Sequence, residues 1–264
     1  MTFDIVGPAW PDQGWTPAPR YLLRRARVLQ LVELLPRPSH VIDIGCGPGA
    51  LLRELMADGV TCEGVETSLP AIGMASEIDA AEGRKLLIHG DADQCDSADL
   101  MLAMEVLEHV HDDSTALRHW LQKLKPGGHI IISVPAHQHR WGPSDVWAGH
   151  VRRYEKSDIA LLCVNSGLEL VKLENYGFPA ANALDVLTRP YYRKKLAEDA
   201  FAENCADLAS RTANSGTDRR ASRRAAPFLT SRIGRLIFHS ALLTQAAFCR
   251  FDLGPGYIAL ARKS

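Results

Sequence analysis

Two rhythms of apolar residues run along the chain. Short apolar runs recur at Val41–Ile44, Val60–Glu66, Leu86–Ile88, Ala98–Ala103, His129–Val134, Leu168–Tyr176 and Tyr257–Arg262. Between them, apolar residues return every three or four positions, the spacing of one face of a helix. Arg20–Leu35 carries Leu22, Leu23, Ala26, Leu29, Val32 and Leu35 in this way, and Pro36 and Pro38 end it. Ser114–Lys125 does the same with Leu117, Trp120, Leu121 and Leu124, and Lys156–Ser166 follows. Ser68 stands where an N-cap is needed. Strands alternating with helices predict an α/β domain built on a largely parallel sheet.

The alternation breaks twice. Residues 1–19 are rich in Pro, Gly and Trp and read as an irregular arm packed on the body. Between the sixth and seventh strands lies an insertion, residues 178–253, with helices over Ala180–Leu208 and Phe228–Phe251. They flank a polar tract, Ala209–Ala226, whose Arg, Ser, Ala and Thr content predicts mobility. The core is therefore expected over 20–177 and is completed by a last strand within 254–264. Arg189–Arg235 holds eleven basic and five acidic residues, net +6. The second helix carries Leu236, Ile237, Phe238, Leu242, Leu243, Ala247 and Phe248. A lid over the acceptor pocket is expected, with peripheral contact to a membrane surface or a phosphorylated acceptor as a second use.

Composition narrows the class. A chain of 264 residues with 46% hydrophobic content has ample core. A net charge of −1 gives no overall pull toward nucleic acid. The six cysteines form no CxxC pair and no cluster with metal-ligand spacing, so neither disulfides nor a metal is expected. With no signal-like segment and no long uncharged apolar run, a cytoplasmic location is expected.

The chemistry gathers around His40–Leu55, HVIDIGCGPGALLREL. A strand carrying Asp43 runs into Gly45, Gly47 and Gly49, and then a helix starts. Such a turn lets backbone approach a ligand, and the helix start presents free N–H groups to it. GxGxG is not the GxGxxG of dinucleotide sites. With the acid two residues ahead, DxGxGxG resembles the first motif of class I S-adenosylmethionine-dependent methyltransferases. Glu66, 23 residues beyond Asp43, ends the second strand, where a carboxylate can accept both ribose hydroxyls of a nucleoside. Glu105-Val-Leu-Glu-His-Val110 and Leu124-Lys-Pro-Gly-Gly128 are similar to further motifs of that family, in the same order.

The resemblance covers about 20–176. It implies a seven-stranded, mostly parallel Rossmann-like sheet with helices on both faces, in the order 3-2-1-4-5-7-6 with the last strand antiparallel. It implies S-adenosyl-L-methionine as cofactor and S-adenosyl-L-homocysteine as product. It also implies that Asp91 and Ala92 hold the adenine edge, that the Glu105 backbone faces the methionine moiety, and that His109 is structural. In the family a helix before the first strand often closes over the methionine end, a role open to Tyr21 and Arg24, which otherwise form a solvated face.

Pro135–Tyr154 is the densest stretch, with the pattern VPA…D…GHxRRY. This is similar to a methyltransferase subgroup acting on small molecules, sugars or lipid-linked intermediates. Asp145 and His150 can pair as orienting acid and base; equally, His150 and Tyr154 can cap and pack the loop. His137 and His139 are reserve bases. Arg152, with Arg153, suits an anionic acceptor or pairs with acids, and Tyr154 is a candidate acceptor contact. The expected activity is methyl transfer to a small-molecule acceptor. Its rivals are a methyltransferase-like binding protein without turnover, a nicotinamide oxidoreductase and a nucleic-acid methyltransferase. Asp43 with GxGxG disfavours the second, and the absence of an RNA-binding module or NPPY-type motif disfavours the third.

Overall fold

The computed structural model describes residues 4–201, 211, 212, 216 and 227–264. Its seven strands are β1 (His40–Ile44), β2 (Thr61–Val65), β3 (Leu87–His89), β4 (Ala98–Met104), β5 (Leu124–Pro135), β6 (Leu168–Tyr176) and β7 (Gly256–Lys263). They form one sheet in the order β3-β2-β1-β4-β5-β7-β6. The pairs from β3 across to β5 are parallel, and β7 runs antiparallel to both β5 and β6. This is the expected Rossmann-like topology.

β1 and β4 are apolar runs rather than alternating patterns because both of their faces are covered. On one face, Val41, Leu100, Leu102 and Ile131 pack against Val28, Leu31 and Val32 of α1 (Pro19–Glu33) and Leu52 and Leu55 of α2 (Ala50–Ala57). On the other, Ile42, Ile44, Met101 and Ile130 meet Leu117 of α4 (Asp113–Trp120) and Ile159 and Leu162 of α6 (Lys156–Asn165). The next helix, α3 (Leu69–Glu82), starts at Ser68, whose hydroxyl accepts from Ala71 N at 3.4 Å. Trp15 of the arm is buried against Ala50 and Ile78.

The single helix predicted over Ser114–Lys125 divides into α4 and a 3₁₀ turn, Leu121–Lys123. Lys263 fastens this turn: its ammonium donates to Leu121 O at 2.6 Å and to Leu124 O, the first carbonyl of β5, at 2.7 Å. The dense loop after β5 contains a short helix of its own, α5 (Pro143–Ala148).

From the insertion, α7 (Ala180–Phe201) and α8 (Arg232–Phe248) are described. Ala181, Leu229 and Phe238 close a small core with Leu22 and Leu23 of α1. α7 also lies along α5, with the Trp147 and Tyr192 rings 5.1 Å apart and the Lys195 ammonium 4.7 Å from the Trp147 ring. The polar tract Ala209–Ala226 and Cys205 lie outside the described residues, apart from Arg211, Thr212 and Gly216. The other five cysteines are free thiols. No helix among the described residues is long and apolar enough to cross a membrane.

Candidate active site

At the carboxyl ends of β1, β2 and β4 the sheet opens into a cavity of about 1130 Å³. It lies where the strand order reverses between β1 and β4, the usual ligand crevice of open α/β sheets. Its floor is the glycine turn, its sides come from α1 and the start of α3, and its far end is the α5 loop.

At the turn end, Gly47 has φ +57°, and a methyl built on it would meet no heavy atom within 4 Å. Asp43 is buried, and its Oδ1 has no hydrogen-bond partner among the described residues. Burial pushes its carboxyl up to about 7, with Arg24 pulling it down and Glu66 pushing it further up. Glu66 folds back on the turn: it accepts from Gly47 N at 2.8 Å, Thr67 N at 2.8 Å and Ser68 N at 2.7 Å. It therefore braces the cradle while keeping lone pairs at the cavity wall. Leu69, 79% exposed, adds an apolar surface at the rim. An open backbone cradle, an unsatisfied buried carboxylate and an apolar rim fit a nucleoside ligand that carries positive charge.

At the middle sits Glu105, held at φ +59° by its N–H bond to Ser133 O at 2.9 Å. Its carboxylate accepts from Tyr176 OH at 3.1 Å and Ser133 Oγ at 3.2 Å, with the Arg24 guanidinium 3.6 Å away. Burial acts to raise its pKa, but Arg24, Arg20, His150 and the Tyr176 hydrogen bond together leave it below the ordinary glutamate value.

At the far end, His150 donates from Nδ1 to Asp145 Oδ1 at 2.8 Å. Asp145 is fully buried and is held by Arg153 Nε at 2.9 Å and Gly142 N at 2.8 Å. A carboxylate only accepts, so His150 carries a hydrogen on Nδ1, and in the neutral ring the lone pair is on Nε2. That nitrogen lies 3.8 Å from Glu108 Oε1. The His109 ring stands 4.9 Å from that of His150, edge to face. Burial, then His150, pushes the His109 imidazole down to about 4.

The sequence-derived candidates separate in space. Asp43, Gly45, Gly47, Glu66, Glu105, Asp145 and His150 come together around the cavity, as do Tyr21 and Arg24. Gly49 caps α2 behind the turn. Asp91 is not brought to the cavity: it caps the 3₁₀ turn Ala92–Gln94, accepts from Asp93 N at 2.8 Å and lies 3.2 Å from His119 Nε2. Ala92 is a core residue. Arg152 and Tyr154, expected at the acceptor, instead tie the loop to α4 through Asp113 Oδ2, at 2.9 and 2.7 Å. His137 and His139 sit on another face, beside Tyr257, Asp252 and Glu155. His109, expected to be structural, borders the cavity, and so do Arg153, Trp147 and Tyr192. Arg153 differs from Arg152 only by the local twist of the loop, for which the sequence holds no signal.

The model of the methyltransferase domain matches residues 18–173. A Ubiquinone biosynthesis O-methyltransferase from Coxiella burnetii is 29% identical over 132 residues, covering 46% of this chain and 56% of that protein. The chain thus spans little more than half of that relative's length. Among solved structures, an S-adenosylmethionine-dependent methyltransferase from Mesorhizobium loti superposes with TM-score 0.53 at 16% identity, covering 90% of this chain and 98% of that one. Phosphoethanolamine N-methyltransferase 2 of Haemonchus contortus, in complex with S-adenosyl-L-methionine, gives 0.55 at 16% identity over 91% of this chain and 52% of that one. Sheet order, glycine cradle and a domain match over more than half of the chain agree, and the chain belongs to the class I S-adenosylmethionine-dependent methyltransferase family.

Proposed function

We propose that this protein methylates a hydroxyl group of a small-molecule acceptor. The observation that carries the reading is one cavity with two chemically distinct ends. One is a glycine cradle with an unsatisfied buried acid, Asp43; the other is the cavity-lining imidazole of His150, held by Asp145. S-adenosyl-L-methionine, when bound, supplies the methyl group from its sulfonium. Asp43, the Gly45–Gly47 backbone, Glu66 and Glu105 are the residues to hold it. Asp43 and Glu105 would face its positive charges, and Glu66 its ribose. His150 acts on the acceptor oxygen, favouring loss of its proton, and Asp145 is the positioning residue that fixes its tautomer. Transfer of this kind depends mainly on placement in a water-poor site, and α1 and α7 cover the cavity through Tyr21, Arg24 and Tyr192. The name of the curated relative supports oxygen as the methylated atom. Exposed Ile233, Leu236, Ile237 and Leu243 on α8, beside Arg232 and Arg235, support peripheral contact with an anionic lipid surface, and hence a lipid-soluble acceptor.

The test is release of S-adenosyl-L-homocysteine from purified protein and isotopically labelled cofactor, over a panel of phenols, sugars and prenylated lipids. Turnover with a hydroxyl-bearing member is expected. Binding of the cofactor with no product from any acceptor class would favour the binding-protein alternative.

A further inference from the structure

One group behind the cavity-lining His109 and His150 is left over. Glu108 is fully buried, and among the described residues neither of its carboxylate oxygens has a hydrogen-bond partner. Its nearest ring nitrogen, His150 Nε2 at 3.8 Å, is beyond hydrogen-bond reach. A second buried glutamate provides the contrast. Glu63 has His89 Nε2 on one oxygen at 2.8 Å, with His40 Nε2 at 2.8 Å and Asp96 N at 3.0 Å on the other. Buried polar groups are ordinarily satisfied, and each exception asks for a cause.

The two histidines beside Glu108 are both engaged at Nδ1. His150 donates from Nδ1 to Asp145, and the His109 Nδ1 lies 3.3 Å from Gly149 O and 3.2 Å from the Thr212 hydroxyl. In the neutral tautomer that carries its hydrogen on Nδ1, each ring presents a lone pair on Nε2. Fixing an imidazole by a carboxylate or carbonyl behind it is the arrangement that outer partners give to metal-ligating histidines. Glu108, His109 and His150 each offer a donor atom, and these lie within 4.8 Å of one another. Metal–ligand distances are about 2.0–2.2 Å for such donors, so closure onto one ion needs shifts of well under an ångström. His109 and His150 also line the cavity, which leaves the remaining coordination positions facing the acceptor end.

We infer that Glu108, His109 and His150 form a binding site for a divalent transition-metal cation of the zinc or cobalt type, open toward the acceptor. Two imidazoles and one carboxylate select such an ion over magnesium or calcium. It neutralises the buried Glu108 carboxylate, to which the neighbouring Glu105 adds negative charge. An acceptor hydroxyl at an open position gives up its proton to water more readily, as a cation lowers the pKa of an oxygen it holds. The inference rests on the reading of the cavity as a methyl-transfer site and deepens it: His150 then acts on the acceptor through the ion. It also departs from the expectation, drawn from sequence spacing, that no metal is bound.

Untagged protein stripped with chelator is titrated with Co²⁺, read by its visible absorption, and then with Zn²⁺ by calorimetry. Every variant is made on a His89→Ala, His119→Ala, His139→Ala background, because Glu63 with His89 and Cys95, Asp91 with Asp93 and His119, and His137 with His139 and Glu155 form the other donor groups among the described residues. One ion per chain is expected, with Zn²⁺ displacing Co²⁺. Glu108→Gln, nearly isosteric, is expected to weaken binding at least about 100-fold by removing a ligand charge. Asp145→Asn, which touches no ion, is expected to weaken it by about 10–100-fold, the usual effect of an outer partner. His109→Ala provides a second ligand deletion should Glu108→Gln fail to fold, which circular dichroism reports. Absence of a bound ion in the parent, or unchanged affinity in both ligand variants, overturns the site. Titration of the same samples with S-adenosyl-L-homocysteine reads the cofactor end independently, so loss of the metal site and loss of the methyltransferase reading are told apart.

Discussion

Replacing Gly47 by alanine separates what the glycine turn does for the fold from what it does for a ligand. Gly47 has φ +57°, and an L side chain in the left-handed region costs roughly 1–2 kcal/mol. No steric cost adds to this, since the new methyl meets no heavy atom within 4 Å. At about 2–4 °C per kcal/mol for a chain approaching this size, melting falls by about 2–8 °C. Gly83, at the C-cap of α3, is the matched control: φ is +64°, a Cβ again meets nothing within 4 Å, and the residue is outside the cavity. The two variants should therefore lose the same stability. They should differ in binding. A methyl in the cradle pushes a ligand outward by roughly one carbon–carbon bond, about 1.5 Å. Two hydrogen bonds stretched beyond reach, each leaving an unpaired partner, cost about 3 kcal/mol together, or about 100-fold in affinity. Denaturant unfolding and calorimetric titration with S-adenosyl-L-homocysteine measure the two quantities on one sample. Equal affinity in Gly47→Ala and Gly83→Ala would refute the assignment of the turn as the ligand cradle.

The buried Asp43, held at about 7, makes a signed pH prediction. The folded state keeps a proton that the unfolded chain has lost, so this group's contribution to stability falls as pH rises from about 4 to about 7 and then levels off. Asp43→Asn should flatten that slope in denaturant melts at pH 5 and pH 8. A cationic ligand favours the ionised carboxylate, so binding near pH 6 should release a proton in the parent and none in Asp43→Asn, as counted by calorimetry in buffers of different ionisation enthalpy. Arg152→Ala and Tyr154→Phe, which lose bonds to Asp113, should each cost about 1–2 kcal/mol of stability and leave cofactor affinity unchanged; a large affinity loss would return these residues to the site. Leu236→Asp with Ile237→Asp, both exposed on α8, should abolish flotation with anionic vesicles while cofactor binding persists. Unaltered flotation would remove the lipid-surface reading.

The fold was legible because its signals are local. Apolar runs marked the central strands, prolines closed α1, and the acid ahead of three glycines marked the cradle. Legibility declined where residues are organised by distant partners. The helix predicted to continue to Lys125 gives way to β5 at Leu124, where Lys263, remote in sequence at the end of β7, binds the Leu121 and Leu124 carbonyls. Asp91 was expected at the ligand, yet it caps the turn Ala92–Gln94 outside the cavity lining. Arg152 and Arg153 are chemically identical neighbours, and only the path of the loop sends one to Asp113 and the other to Asp145. Glu108 stood in plain view within a recognisable string, but its lack of partners is a property of three-dimensional packing and is invisible in sequence.

The placement of β7 bears on how the chain is made. It pairs with β5 from His129 to Pro135 and with β6 from Leu168 to Tyr176, filling the space between them. During synthesis it emerges only after the whole insertion. Until then β5 and β6 face each other across a strand-wide gap, with unpaired backbone on both sides and the apolar core around Ile130 and Ile132 open. Nascent chains are thus in a vulnerable state, offering two strand edges to any passing extended segment. Chaperone dependence should rise with any change that delays arrival of Gly256–Lys263, including a lengthened insertion, even though such a change touches no residue of the site.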